Sequence, residues 1–315
     1  MKKEMSSKKR DSGGCQPTLI GLWHSRKNRD EELPTPTPAG GKRNREPAST
    51  PTPPSVAPPL RLGHGCGSSH RWENLSLPNG PMLLLRGSIG GKKESERRST
   101  RKSLASMAGW NENDTFKIYG KECRMKRRIA QFSSDGKSSY SYSGLKNVVA
   151  PEFPPILRDI KDQVEDRLCE HVLELSKGGS SSSSKNLTIS PAFVDLVQSI
   201  TKNGNDGKDI YNYCLLNHYR DGEDNMGYHA DNEASLDPHT PIASVSFGIT
   251  RSFDVRPMKK DSNGKRSRVA RIALGDGDLL IMLHPMQSHY QHSIPVEKRV
   301  VGERINLTFR RVLTL

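Results

Sequence analysis

His229-Ala230-Asp231 is a place in this 315-residue sequence where residue types and spacing could hold a metal ion. On an extended segment residues i and i+2 point to the same side, so one imidazole and one carboxylate face a common point. A third ligand must then come from elsewhere. His284, His289 and His292 all lie at the end of a later strand-rich block, and spacing alone does not choose among them. Taken alone, His-x-Asp is common by chance and is more often a surface pair.

A second polar cluster changes that balance. In Arg304-Ile305-Asn306-Leu307-Thr308-Phe309-Arg310 the period of two puts Arg304, Asn306, Thr308 and Arg310 on one face and Ile305, Leu307 and Phe309 on the other. If the polar face looks inward, its two guanidinium groups need anionic partners, because an unpaired buried charge is very costly. At about 3.3 Å per residue the two arginine Cα atoms stand roughly 20 Å apart. They flank a short dicarboxylate rather than grip one carboxylate together. Tyr213, Leu215, Asn217 and Tyr219 share a face in the same way, and Asn217 and Tyr219 can donate hydrogen bonds to a carboxylate. Two His and one carboxylate leave three open positions on a metal, the donor set of non-haem Fe(II) oxygenases.

The elements that must position these groups read as follows. Thr115–Tyr119 is an expected strand. Pro154-Pro155 opens an expected helix over Ile156–Leu175, with Ile156, Leu157, Ile160 and Val164 at near-helical spacing. Pro191–Ile200 reads as a second helix, and Ser180–Ser184 as a flexible insertion. Tyr211–Tyr219, Ile242–Phe247, Ser252–Val255, Val269–Leu274, Leu279–Leu283 and Arg304–Val312 are β-rich runs split by turn residues. Gly275-Asp276-Gly277-Asp278 is one tight turn among them. The expected fold is mostly β with flanking helices, an antiparallel sandwich or barrel with the helices on one face.

Composition sets the outer limits. The chain is 32% hydrophobic and carries a net charge of +14; its mean hydropathy is −0.72. No apolar run approaches the roughly 18–20 residues that a membrane-spanning helix needs. Five scattered cysteines without a C-x-x-C pair argue against a cysteine zinc site and a disulfide scaffold. Residues 1–110 hold 20 Lys+Arg against 9 Asp+Glu and 12 of the 21 prolines. That composition reads as a disordered basic Pro/Ser/Gly-rich region over 1–110, followed by a folded domain over 111–315. The excess charge suits a polyanionic partner, or simply a solvated tail. Lys92-Lys93, Arg97-Arg98 and Arg101-Lys102 read as a nuclear address, a phosphate-gripping arm or a charged linker.

Asn217-x-Tyr219, His229-x-Asp231, Pro241–Gly248, His292-Ser293-Ile294-Pro295 and Arg304-x-Asn306-Leu307-Thr308-Phe309-Arg310 occur in the order seen in AlkB-type Fe(II)/2-oxoglutarate dioxygenases. From about Phe116 to Val312 the sequence resembles their DNA-repair subgroup, that of the second and third vertebrate AlkB homologues. The resemblance implies a double-stranded β-helix (jelly roll). It implies Fe(II) held by His229, Asp231 and His292, which selects His292 over its neighbours. It implies 2-oxoglutarate as co-substrate, its distal carboxylate on Arg304, with Asn217, Tyr219, Asn306, Thr308 and Arg310 around it, and O2 as oxidant.

The reaction so implied is oxidative demethylation of N-alkylated DNA bases such as 1-methyladenine and 3-methylcytosine. The hydroxylated alkyl carbon leaves as formaldehyde while 2-oxoglutarate becomes succinate and CO2. Alkylated DNA, double- or single-stranded, is the implied partner, with a monomer, a nuclear location and no membrane. RNA bases, or a protein or small-molecule substrate on the same fold, are the alternatives. A base inside a duplex is out of reach, so it must be flipped or single-stranded. Ile118-Tyr119-Gly120 resembles the finger that fills the vacated stack, and Tyr140-Ser141-Tyr142 the segment bordering the flipped base. Asn232 and Glu233 complete the expected substrate contacts; Asn232 stands where the subgroup has an acid. Lys121, Arg124, Lys126, Arg127 and Arg128 read as phosphate contacts or a solvated loop.

Overall fold

The computed structural model describes residues 60–62, 71–110, 115–118, 121–124, 126–136, 139–142, 145–177, 189–202 and 210–313. In chain order the elements begin with β1 (Leu60–Leu62), β2 (Glu73–Leu75), β3 (Met82–Leu85), α1 (Glu94–Ala105), β4 (Thr115–Ile118), β5 (Lys121–Arg124) and β6 (Arg128–Ser133). They continue with β7 (Ser139–Tyr142), β8 (Leu145–Val149), α2 (Pro155–Ser176), α3 (Pro191–Lys202), β9 (Tyr213–Tyr219), β10 (Met226–His229), β11 (Ile242–Gly248) and β12 (Arg251–Pro257). The last are β13 (Ala270–Leu274), β14 (Asp278–Met282), α4 (Met286–His289), β15 (Tyr290–Ile294) and β16 (Arg304–Arg310).

Two sheets carry the fold. A seven-stranded sheet runs β2-β3-β14-β11-β16-β9-β6, and a five-stranded sheet runs β1-β13-β12-β15-β10. Their pairings are antiparallel except β1 with β13. β4–β5 and β7–β8 are separate hairpins. The period of two sorts the central strands onto two cores. Ile305, Leu307 and Phe309 of β16, with Cys214 and Leu216 of β9, join the apolar layer that meets the helices. Tyr213, Leu215 and Tyr219 of β9 face instead Phe253 and Val255 of β12, Ile272 of β13 and Leu280 and Met282 of β14. Sheets facing each other across a core, one of them backed by helices, form the expected double-stranded β-helix.

α2 shows why the helices lie where they do. Pro155 occupies its first turn, where a missing N–H costs nothing. Leu157, Ile160, Val164, Leu168 and Val172 recur at spacings of three and four and are all buried. Each such side chain contributes about 1.5–3 kcal/mol relative to exposure. Glu165, also buried, accepts from Lys161 Nζ at 3.1 Å and from the Tyr211 amide at 2.9 Å, tying the helix to the start of β9.

Residues 71–110 depart from the disorder expected over 1–110. Met82–Leu85 pairs with Met282–Leu279 of β14 and is almost wholly buried, and β2 extends the sheet beyond it. α1 buries Leu104, and its Arg97 Nε sits 2.8 Å from Asp276 Oδ2 in the turn between β13 and β14. Glu94 and Glu96 lie in its first turn and Lys102 in its last, each matching the helix macrodipole. Averaging composition over 110 residues hid a four-residue apolar strand and a short charged helix. The folded unit therefore starts before residue 111. The Ser180–Ser184 insertion lies outside the described residues.

Candidate active site

The two imidazoles face each other across strands. His229 ends β10 and is in register with His292 of β15, and their rings are 4.2 Å apart. Asp231 lies two residues beyond, just past the strand end. One donor atom from each of His229, Asp231 and His292 comes within 4.8 Å of the others, and all three residues are buried. His284 and His289 are exposed and outside this cluster.

Local contacts leave the donors available. His229 Nδ1 lies 3.0 Å from the Gly227 carbonyl; a proton there donates to that oxygen and leaves the Nε2 lone pair free, 3.7 Å from Asp231 Oδ1. Asp231 Oδ2 pairs with Arg310 Nη2 at 2.9 Å, while its Oδ1 has no hydrogen-bond partner among the described residues. Phe253 stacks on the His292 ring at 5.0 Å.

Burial sets the charge state of the cluster. It pushes His292 down to about 3, with His229 adding to the effect, and it lowers His229 against the opposing pull of Asp231. Burial alone would raise the Asp231 carboxyl, but Arg310 and the two imidazoles outweigh it and hold the acid well below its usual range. Two neutral imidazoles beside one carboxylate are the protonation state that binds a divalent metal.

The same cavity reaches Arg304 and is lined also by Asn217, Tyr219, Ser244, Asn306, Thr308 and Arg310. Arg304 is 1% exposed. Its Nη2 donates to Ser246 Oγ at 2.8 Å, whereas Nε and Nη1 are buried without a hydrogen-bond partner among the described residues. Burial pulls its pKa down to about 10. A buried cation with unspent donors in a cavity is a seat for an anion.

The remaining polar groups are largely spent on each other. Asn306 Nδ2 donates to Ser244 Oγ at 2.8 Å and to the Val245 carbonyl at 2.9 Å, and Asn306 Oδ1 accepts from Thr308 at 3.2 Å. Asn217 Oδ1 accepts from Arg127 Nε at 2.6 Å.

The other expected site residues divide. Asn232 is exposed and Glu233 half-buried beside Asp231. Ile118 ends β4, and Tyr119 and Gly120 lie outside the described residues. Tyr140, Ser141 and Tyr142 belong to β7, which pairs with β8. The basic run splits: Lys126 is exposed, Arg127 is buried against Asn217, and Arg128 on β6 lies over the Trp110 ring at 5.6 Å. Arg127 is thus a buried neighbour of the cavity rather than part of a solvated loop. Ser244, Ser246, Phe253, Met226 and Met282 were missed. The alternation of Ser244 and Ser246 with Val245 and Phe247 is the signal that puts both on the inner face of β11.

The profile of the 2OG-Fe(II) oxygenase superfamily matches residues 81–310. The chain belongs to that superfamily. Membership brings Fe(II), 2-oxoglutarate and O2, and the buried donor set fits the first as Arg304 fits the second. Within the superfamily the similarity is to AlkB homologues. The chain is 35% identical over 200 residues to "DNA oxidative demethylase ALKBH2" of Mus musculus, covering 62% of this chain and 66% of that protein. It is 50% identical over 107 residues to the protein of that name from Homo sapiens, covering 33% and 40%. To "Alpha-ketoglutarate-dependent dioxygenase alkB homolog 3" of Homo sapiens it is 31% identical over 180 residues, covering 56% and 49%. The matched part thus spans 66% or less of these relatives.

Proposed function

We propose that this chain is a DNA-repair dioxygenase that removes alkyl groups from N-alkylated bases, 1-methyladenine and 3-methylcytosine among them. The reaction releases formaldehyde and converts 2-oxoglutarate to succinate and CO2. One observation carries this reading: a single buried cavity joins a His-Asp-His donor set to an arginine with unspent donors. The similarity to proteins named DNA oxidative demethylase supplies the substrate class.

In this reading His229, Asp231 and His292 hold Fe(II), and Arg304 holds the distal carboxylate of 2-oxoglutarate. The bound metal supplies the means to activate O2 at the expense of the keto acid. The chain's own residues do the rest. Arg310 occupies one oxygen of Asp231 and turns the other toward the imidazoles. Ser246 fixes one end of the Arg304 guanidinium. Tyr219, whose ring lies 5.4 Å from the Arg304 guanidinium carbon, closes the cavity at that side. Asn306, with both amide ends engaged, keeps Ser244 and Thr308 in place. Asn217 and Arg127 together present a polar wall. Leu215, Phe253, Met226 and Met282 exclude water from the cavity, which strengthens each electrostatic contact inside it.

Substrate enters as a flipped or unpaired base. Ile118, Tyr119 and Gly120 serve as the wedge, and Tyr140, Ser141 and Tyr142 with Asn232 and Glu233 border the base. The catalytic unit takes in the elements from β1 to β16, and the basic residues before it add sequence-independent affinity for DNA in the nucleus. The enzyme acts as a monomer. Formaldehyde release from matched methylated oligonucleotides tests the reading: double-stranded DNA, single-stranded DNA and RNA are compared with Fe(II) and 2-oxoglutarate present. Turnover on DNA is expected; turnover confined to RNA moves the substrate class, and none on any of them removes the reading.

A further inference from the structure

Asp231 stands apart from the two histidines in how it is held. His229 and His292 are fixed by strand pairing, each to the other. Asp231 lies past the end of β10, outside the ladder. Its amide donates instead to a side chain, Gln287 Oε1 at 3.0 Å. Gln287 sits on α4, in the link between β14 and the strand that carries His292. Its other end is engaged too: Nε2 lies 3.3 Å from the sulfur of Met282, a residue lining the same cavity. α4 is itself anchored, since Met286 is fully buried in the core between the sheets and its amide bonds to the Leu283 carbonyl at 2.9 Å.

We infer that Gln287 is a positioning residue for the metal site, setting where the Asp231 carboxylate stands relative to the histidine pair. The inference rests on the reading of His229, Asp231 and His292 as metal ligands. The physical reason is geometric. Arg310 fixes one carboxylate oxygen, but a side chain pivots about its backbone, so the free oxygen is placed only when the backbone is held as well. Gln287 supplies that second hold. It also links the Asp231 segment to the β14–β15 connection, which leads directly into the strand that carries His292. Contacts that orient a ligand without touching the metal typically change metal affinity by about 10–100-fold.

The test is anaerobic Co(II) titration of the metal-free full chain, followed by the visible absorption of the bound ion, with thermal unfolding of the metal-free protein as the structural control. Gln287→Leu keeps the volume and removes the acceptor; its dissociation constant is expected to rise about 10-fold or more, with the metal-free melting midpoint close to that of the parent. Gln287→Glu keeps an acceptor oxygen and is expected to bind Co(II) at least nearly as tightly as the parent. Asp231→Ala is the reference and is expected to lose binding. Unchanged Co(II) affinity in Gln287→Leu, or an equal loss in Gln287→Leu and Gln287→Glu, overturns the positioning role. Parent-like binding by Asp231→Ala instead overturns the metal assignment beneath it.

Discussion

Arg310 Nη2 lies 2.9 Å from Asp231 Oδ2, and both side chains are 2% exposed. A buried guanidinium thus occupies one oxygen of the carboxylate and leaves the other toward the two imidazoles. The pair does two things. It keeps Asp231 ionised against the cost of burial, and it restricts the carboxylate to one free oxygen. Removing one member of a buried pair leaves an uncompensated charge worth about 3–5 kcal/mol. Arg310→Met is therefore expected to destabilise the metal-free protein by about that amount in urea unfolding, and added Co(II) to recover part of the loss. Equal destabilisation with and without metal contradicts a link between this pair and the donor set.

Arg304 has two buried nitrogens without a hydrogen-bond partner among the described residues, and in the proposed function they hold the distal carboxylate of 2-oxoglutarate. Truncating one side of a buried hydrogen-bonded charge pair costs about 2–5 kcal/mol. Arg304→Leu is expected to raise the KM for 2-oxoglutarate by at least 30-fold, with Co(II) affinity nearly unchanged. Arg304→Lys is expected to rescue little, because an ammonium is a point charge and not a fork. Steady-state kinetics over a range of 2-oxoglutarate concentrations separates these outcomes; an unaltered KM in the leucine variant would falsify the assignment.

Leu84 measures whether the segment before residue 111 is part of the fold. It is 0% exposed on β3, paired with Leu280 of β14. A Leu→Ala change in a packed core costs about 2–5 kcal/mol, and the same change in an unstructured tail costs almost nothing. Leu84→Ala is expected to show the first behaviour in chemical unfolding. A chain starting at residue 60, which keeps β1 and its pairing with β13, should unfold with the same midpoint as the full sequence. If Leu84→Ala leaves stability untouched, β3 is not part of the sheet in solution.

How far the sequence reached follows from what each signal depends on. Period-two alternation is local, and it sorted Arg304, Asn306, Thr308 and Arg310 onto one face of β16 and Ile305, Leu307 and Phe309 onto the other; that the first face looks into the cavity and the second toward the helices is set by the packing of the sheets. His292 could not be chosen from spacing, because its selection depends on the register of β15 against β10, a long-range fact. The motif order seen in AlkB-type enzymes, rather than any local pattern, singled it out. β10 and β15 themselves escaped a propensity reading, since Met-Gly-Tyr-His and Tyr-Gln-His-Ser-Ile lack the run of β-branched and apolar residues that marks a strand, although β15 is buried throughout. Arg127 read as a surface charge because its burial against Asn217 comes from the pairing of β6 with β9, which nothing in Met125–Arg128 announces. Residues 71–110 were misread because a whole-segment composition outweighed one short apolar run.

Tyr119 tests the substrate side. A wedge matters only where a neighbouring base pair must be opened. Tyr119→Ala is expected to lower turnover on double-stranded methylated DNA about 10-fold or more, since stacking on an aromatic ring is worth about 1–3 kcal/mol, and to lower it less on single strands. Parallel kcat/KM measurements on the two substrates decide. Equal losses on both would remove the wedge role.

The most direct test of the whole account is formaldehyde release from a 1-methyladenine DNA oligonucleotide by the purified chain with Fe(II) and 2-oxoglutarate, run beside His229→Ala. The parent is expected to release one formaldehyde for each methyl group lost, with at least one succinate formed, and the variant to release none. Demethylation by His229→Ala at a rate near that of the parent would contradict it.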